Sequence, residues 1–124
     1  MNIWYYAHSM NMYNTDQERV EMTDLEKLFP KDCIFNPNRH YIQRHKTPMK
    51  ACIDVIHDPS VTGVVFSGDQ GGITQGVYFE IKTAQKLEKP VFLLEDHFLE
   101  EFDGAFVYQK KKKRWKVTTH ANNT

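Results

Sequence analysis

The residue in this chain that points most directly to chemistry is Glu80, because it stands where a helix should bury apolar side chains. Val77, Ile81 and Ala84 recur at helical spacing, and at about 100° per residue Glu80 projects among them. A buried carboxylate costs free energy unless a partner or a catalytic task holds it. Glu80 is therefore a candidate catalytic carboxylate. The alternative is an ordinary charge in an early helical turn that leans into solvent.

A glycine-rich turn, residues 68–76, directly precedes Glu80. It follows an apolar stretch, 61–66, that is predicted to be a buried strand. Open α/β sheets bind ligands beyond the carboxyl ends of their strands, so this turn is expected at the site. The turn lacks the Lys-Ser/Thr ending of a P-loop, and it does not open the chain as Gly-x-Gly-x-x-Gly. These absences disfavour a mononucleotide kinase and a dinucleotide-dependent dehydrogenase.

The elements that must position these residues alternate between strand and helix up to residue 94. Helices with one apolar face are predicted between four short apolar or aromatic stretches. The predicted strands are 3–7, 33–35, 61–66 and 90–94. This alternation predicts an α/β fold, a flavodoxin-like or Rossmann-like parallel sheet of four to five strands with helices on both faces. The expected strand order is 2-1-3-4, with any fifth strand beside the fourth.

The pattern changes after residue 95. Phe98, Leu99 and Phe102 are predicted to form one short helical turn. Two short strands, at 106–108 and 115–118, then predict a C-terminal extension that resembles a β-hairpin. The length of the chain suits one domain, so we expect residues 1–119 to form it and 120–124 to be a disordered tail.

Charge and composition limit the classes of partner that the chain is expected to bind. The 16 basic and 16 acidic side chains balance, so no global field draws the chain to nucleic acid or to a membrane. The basic run 110–114 suits a hairpin tip that discourages edge-to-edge aggregation, and a nucleic-acid contact is the less favoured alternative. The six histidines show no metal-binding spacing, and neither a metal nor a cofactor is predicted.

The two cysteines, Cys33 and Cys52, lack the Cys-x-x-Cys spacing of a zinc or redox site. Both are expected to be reduced and to lie in the core. The N-terminus does not show a signal-peptide pattern, and no stretch is apolar over the length that spans a bilayer. Together these observations predict a cytoplasmic protein.

The segment Gly76-x-x-x-Glu80-Ile81-x-x-Ala84, followed by Lys-Pro-Val at 89–91, resembles the signature of the nucleoside 2-deoxyribosyltransferase-like superfamily. That family includes the nucleoside 5′-monophosphate N-glycosidases. Its glutamate attacks the anomeric carbon of the sugar, so the resemblance implies that Glu80 is the nucleophile. The first strand and the loop after it are also similar to those of the family, and the resemblance spans residues 2–94.

The resemblance implies roles for further residues. A tyrosine that precedes a small residue by two positions reaches the nucleophile in this family, and here these residues are Tyr5 and Ala7. The alternative for Tyr5 is a core aromatic on a buried strand. Six residues before its glutamate the family commonly has an aspartate that protonates or orients the leaving base, and here Thr74 stands there. A hydroxyl is a poor general acid but suits a helix N-cap. Either Asp69 substitutes, or the leaving base differs, or the site binds without cleaving.

Substrate contacts are expected from the loops at the carboxyl edge of the sheet. Backbone N–H groups of 71–76, together with side chains of the first loop, would hold a 5′-phosphate if the substrate is a nucleotide. The residues predicted to bind substrate are His8, Ser9, Asn11, Asn36, Gly71, Gly72, Thr74 and Gly76.

The predicted function is cleavage or transfer of the N-glycosidic bond of a nucleoside or nucleoside 5′-monophosphate, with Glu80 capturing an oxocarbenium-like centre. The alternative is a module of the same fold that binds a nucleotide or an ADP-ribose-like ligand without chemistry. Aromatic residues that follow the main sheet are expected to cover a partner subunit, which predicts a homodimer or a larger assembly. These residues are Phe98, Phe102, Phe106, Tyr108 and Trp115.

Overall fold

The computed structural model describes residues 1–39 and 47–119, and within them a five-stranded sheet has the order β2-β1-β3-β4-β5. Strands β1 to β4 run parallel, and β5 is antiparallel to β4. The strands are β1 (Ile3–Ala7), β2 (Cys33–Phe35), β3 (Gly63–Phe66), β4 (Val91–Glu95) and β5 (Phe98–Glu101). The predicted α/β class and strand order are confirmed.

Three helices connect the parallel strands: α1 (Asp16–Leu28), α2 (Pro48–His57) and α3 (Gln75–Lys86). The hydroxyls of Thr15 and Thr74 cap α1 and α3 by accepting backbone N–H groups of the first turn. Helix α2 begins at Pro48, and the side chain of Thr47 before it makes no capping hydrogen bond. None of the helices in the described ranges is both long and apolar enough to cross a bilayer.

The sheet has a hydrophobic cluster on each face, because successive side chains of a strand point in opposite directions. Tyr5 and Ala7 of β1 pack with α2 and α3 on one face. Trp4 and Tyr6 pack on the other face with Met22 and Leu25 of α1. The neighbouring strands β3 and β4 contribute to both clusters. The sheet therefore separates two environments, and adjacent tyrosines of β1 enter different ones.

The predicted helical turn over 98–102 is wrong, because the segment forms the edge strand β5. Asp96 and His97 both have positive φ and make the two-residue turn that folds β5 back onto β4. Phe102 follows the strand and is buried, whereas Phe98 is 74% exposed. An Asp-His pair is not the usual Asn-Gly or Asp-Gly signal for such a turn, which is why the pattern did not predict a hairpin.

A second, two-stranded sheet consists of β6 (Ala105–Gln109) and β7 (Arg114–Thr119), which confirms the predicted hairpin. It is joined to the main domain by two backbone hydrogen bonds between Ile73 and Trp115, of 2.8 and 2.9 Å. Phe106 and Trp115 pack against the main core, so these two aromatic residues contribute to the fold of the chain itself. Tyr108 remains 42% exposed. Assembly into an oligomer stays a prediction.

Two further expectations are settled by burial. Cys33 is exposed, so its predicted place in the core is wrong: it begins the edge strand β2, and the two core clusters are contacted by Ile34 and Phe35. Cys52 is buried as predicted. The predicted disordered tail, 120–124, lies outside the described residues.

Candidate functional site

Glu80 lies on the face of α3 that packs against the sheet, beside Val77, Ile81 and Ala84, and it is 5% exposed. The hydroxyl of Tyr5 donates a hydrogen bond to Glu80 Oε2. The Cys52 thiol of α2 is the second hydrogen-bond partner of this carboxylate. The alternative in which Glu80 leans into solvent is therefore excluded, and three elements converge on one buried carboxylate.

Burial dominates the electrostatics of this group. Removal from water raises the pKa of Glu80 to about 8, although the hydrogen bonds from Tyr5 and Cys52 oppose the shift. Burial also raises the pKa of Tyr5 well above its usual value, and it raises the pKa of Cys52 to about 11. Tyr5 and Cys52 therefore remain protonated donors at every pH at which Glu80 titrates.

A cavity of about 320 Å³ opens beside Glu80 at the carboxyl end of β1. The loop after β1 and the first turns of α2 and α3 form its walls. Most of the described residues that line it are apolar or uncharged: Ser9, Met10, Asn11, Tyr13, Pro48, Met49, Cys52, Thr74, Gln75, Gly76 and Val77. His8 and Glu80 complete the described lining. The structure thus brings His8, Ser9, Asn11, Thr74 and Gly76 together with the Glu80–Tyr5 pair.

His8 is buried between two acceptors. Its Nδ1 lies 3.0 Å from the Tyr6 carbonyl oxygen and its Nε2 lies 2.7 Å from Glu18 Oε2. Burial opposes ionisation of Glu18, but hydrogen bonds from His8, Asn14 and Asn38 lower the pKa of Glu18 overall, so this carboxylate only accepts. Both ring nitrogens of His8 thus face oxygen atoms, and these two contacts hold the ring in one orientation. The role of Glu18, which lies in the first turn of α1, was not predicted.

Four residues predicted to act with Glu80 lie elsewhere. Asp69 faces Arg114 of the hairpin at 3.5 Å and closes a tight turn with Gly72. Gly71 and Gly72 line a different cavity. Asn36 is buried, its Oδ1 accepts a backbone N–H of the following turn, and it is not among the described residues that line the Glu80 cavity.

The two displaced glycines have structural explanations. Gly71 has a φ of +78°, which favours glycine. A Cβ at Gly72 would lie 2.7 Å from the Trp115 carbonyl oxygen, so the hairpin packs directly on this backbone. The glycine-rich turn therefore fits the hairpin at 71–72 and reaches the Glu80 cavity only from Thr74 onward.

A second tyrosine and carboxylate pair lies on the opposite face of the sheet. Tyr6 and Ser67 both donate their hydroxyls to Glu21 Oε1, and Gln17 donates to Oε2. Glu21 lines a cavity of about 540 Å³ between α1, the turn after β3 and the hairpin. This network was not predicted, although consecutive tyrosines on one strand must point to opposite faces.

Comparison with known proteins concerns the fold. No family model matches the chain, and no curated protein matches it in sequence. Among solved structures, the chain is similar to a 2-deoxyribosyltransferase from Leishmania mexicana, with a TM-score of 0.58 and 14% sequence identity. The similarity covers 96% of this chain and 79% of that chain. The resemblance seen in the sequence is thus confirmed at the level of the fold.

Proposed function

We propose that this protein cleaves or transfers the N-glycosidic bond of a nucleoside or nucleoside 5′-monophosphate, with Glu80 as the nucleophile. The observation that carries the proposal is one buried carboxylate, held by the Tyr5 hydroxyl and the Cys52 thiol at the edge of a cavity. Carboxylates are rarely buried without a task, and strongly perturbed pKa values cluster at functional sites. The fold of the structural neighbour, a 2-deoxyribosyltransferase, supports the same class of chemistry.

The proposed reaction has two steps. As the base departs, the anomeric carbon becomes oxocarbenium-like, and the Glu80 carboxylate bonds to it from the opposite face. Tyr5 and Cys52 hold the carboxylate in one orientation while this bond forms. Water then attacks the same carbon and releases the sugar, or a second base attacks it and gives transfer. Asp69, paired with Arg114 outside this cavity, has no role in this mechanism.

In the proposed complex, the loop after β1 and the start of α3 contact the sugar and the phosphate. Ser9 and Asn11 line the cavity with Gly76, and the N-terminus of α3 directs backbone N–H groups toward it. These donors suit the hydroxyls of a sugar or a 5′-phosphate.

We also propose a homo-oligomer, which light scattering at high micromolar protein concentration will test. A monodisperse monomer overturns the proposed assembly.

The test of the reaction is a panel of nucleosides and 5′-monophosphates, with released base detected by liquid chromatography and mass spectrometry. Base release by the wild-type protein and its loss in Glu80→Gln support the proposal. Glu21→Gln is the matched control, because it changes the other tyrosine-bound glutamate. A 2-fluoro-substituted nucleoside, which slows the second step, should add the mass of its sugar to the peptide that contains Glu80. Turnover that survives in Glu80→Gln overturns the nucleophile.

A binding module without chemistry is the second candidate. The Thr74 hydroxyl, which stands where the related enzymes commonly have an aspartate, is used here to accept the Val77 N–H. Calorimetry with nucleotides and an ADP-ribose-like ligand, followed by recovery of the ligand, separates the two candidates. Ligand that binds and is recovered intact favours the binding module, and ligand that loses its base favours the enzyme.

A further inference from the structure

The side chains best suited by type to protonate a leaving base are each engaged elsewhere. The Thr74 hydroxyl caps α3. Asp69 is turned toward an arginine of the hairpin, and both ring nitrogens of His8 already face acceptors. Among the described residues that line the cavity, Glu80 carries the one carboxyl group, and it is committed to the anomeric carbon. Beside the nucleophile, the described lining residues thus offer no second carboxylic acid and no unengaged imidazole to protonate a leaving base.

The lack of such an acid among the described lining residues limits which bases can leave. A neutral nucleobase departs as an anion unless its ring is protonated, and a general acid contributes roughly 100-fold to 10,000-fold to such a step. A base that carries a fixed positive charge departs as a neutral molecule. Its departure needs no proton, so a site with a nucleophile alone is sufficient.

The cavity also suits a flat cation. Tyr13 lines it, and an aromatic face attracts a cationic ring. Met10 and Met49 add polarisable thioethers that pack against aromatic rings. The charge of Glu80 is the complement of the substrate charge, and no lysine or arginine is among the described lining residues to oppose it.

We infer that the preferred substrates are N-glycosides whose base is already cationic, namely ring-alkylated purine nucleosides and N-ribosylpyridiniums. This inference rests on the proposed function. The electron pair of the bond between C1′ and the base nitrogen moves to that nitrogen and cancels its charge, while a Glu80 oxygen bonds to C1′. Water then replaces Glu80 at C1′, so that substrate cation and water give free sugar, neutral base and one proton released to solvent.

A cationic substrate also favours the ionised form of Glu80, which is the nucleophilic form. Burial keeps the pKa of Glu80 near 8, so the free site holds much of this group in its neutral form at pH 7. A positive charge in the adjacent cavity favours the carboxylate, as an opposite charge close to an acid does in general. A neutral nucleoside gives no such help.

The test compares matched pairs on the full chain: 7-methylguanosine against guanosine, and 7-methylinosine against inosine, each as the nucleoside and as the 5′-monophosphate. We expect kcat/KM for the methylated member to exceed that of its parent by at least about 100-fold, the lower value of a general acid. We also expect the pH profile on an N-ribosylpyridinium, nicotinamide riboside, to rise and then level off without an alkaline fall, because the charge of its ring does not titrate and no acid must stay protonated.

The outcomes separate this inference from the proposed function. If kcat/KM for the unmethylated nucleosides lies within 100-fold of that for the methylated ones, the cationic preference is overturned. If both activities are also lost in Glu80→Gln, the assignment of Glu80 as the nucleophile is still supported. A bell-shaped profile on nicotinamide riboside also overturns the inference, because the substrate does not titrate and the alkaline fall then reveals an acid of the protein. Release of base from no probe, or equal release by Glu80→Gln, overturns the proposed function itself.

Discussion

On each face of the sheet a tyrosine of β1 donates to a helical glutamate, yet the two pairs lie in different surroundings. Glu80 is buried and has Tyr5 and Cys52 as donors. Glu21 is half-buried, borders the larger cavity and is bonded by Tyr6 and two further side chains. The two carboxylates therefore differ in their removal from water, and the proposed role of Glu80 rests on this burial rather than on the pairing with a tyrosine.

The largest effect expected from this comparison is on turnover. Glu80→Gln should reduce base release by at least a thousandfold, roughly 4 kcal/mol, because an amide keeps the shape but cannot bond to the anomeric carbon as a carboxylate does. Glu21→Gln should retain activity within a few-fold. Steady-state rates on the best substrate of the panel check both. Comparable losses of base release in Glu80→Gln and Glu21→Gln would show that the reaction does not depend on Glu80 more than on Glu21.

The pH dependence of the reaction should follow the buried carboxylate. With the pKa of Glu80 near 8, only about 1% of the group is ionised at pH 6 and about 90% at pH 9. On a neutral substrate kcat/KM should therefore rise about 100-fold over this range. Stopped assays in overlapping buffers measure it. A rate that is already constant above pH 6 would mean that Glu80 is ionised like an exposed carboxyl.

A smaller effect is expected from the tyrosines. Tyr5→Phe removes a donor to the carboxylate, and a hydrogen bond to a charged group contributes about 1.5–3 kcal/mol, so activity should fall by roughly 10-fold to 100-fold. The ascending limb of the pH profile should also move to higher pH, because the lost hydrogen bond was lowering the pKa of Glu80. Tyr6→Phe on the other face should move neither quantity. An unmoved limb in Tyr5→Phe would contradict the assignment.

A final effect is expected on the stability of the fold. The pKa of Glu80 is about 8 in the folded chain against 4.5 for the ordinary group, so between these values the unfolded chain releases a proton that the folded chain keeps. Folding is therefore penalised progressively as the pH rises from 4.5 to 8, by up to about 1.4 kcal/mol per pH unit. Glu80→Gln, which cannot ionise, should raise Tm more at pH 8 than at pH 5. Glu26→Gln, an exposed change of the same kind, is the control. A lower Tm for Glu80→Gln at pH 8 would instead mark Glu80 as a structural residue.

Much of the fold followed from local pattern. The buried strands and their alternation with helices predicted the parallel order, and helical spacing placed Glu80 on the buried face of α3. The edge strand β5 was missed because its turn, Asp96 and His97, adopts positive φ without glycine or asparagine. Cys52 was assigned to the core for its apolar character, and its contact with Glu80 depends on how α2 packs against α3.

The division of the glycine-rich turn between two cavities could not be read from the sequence either. Asp69 and Gly72 are held by the hairpin, a contact between residues more than 40 positions apart in the chain. Local spacing describes which residues follow one another, and it carries no information on such tertiary contacts. Thr74 illustrates the opposite case, because a hydroxyl three residues before a helical N–H predicts its cap directly.

Trp115 makes the hairpin a natural optical reporter of the site. Its ring stacks on Tyr78 with centroids 3.7 Å apart, and its indole N–H donates to Gln75, a residue that lines the Glu80 cavity. The chain has only two tryptophans, and the other, Trp4, lies in the cluster on the opposite face of the sheet. In a Trp4→Phe background the emission of Trp115 would come from one known place. Ligand entry into the Glu80 cavity, through Gln75, or into the larger cavity, which Trp115 itself lines, then becomes a fluorescence titration that needs no label and no turnover.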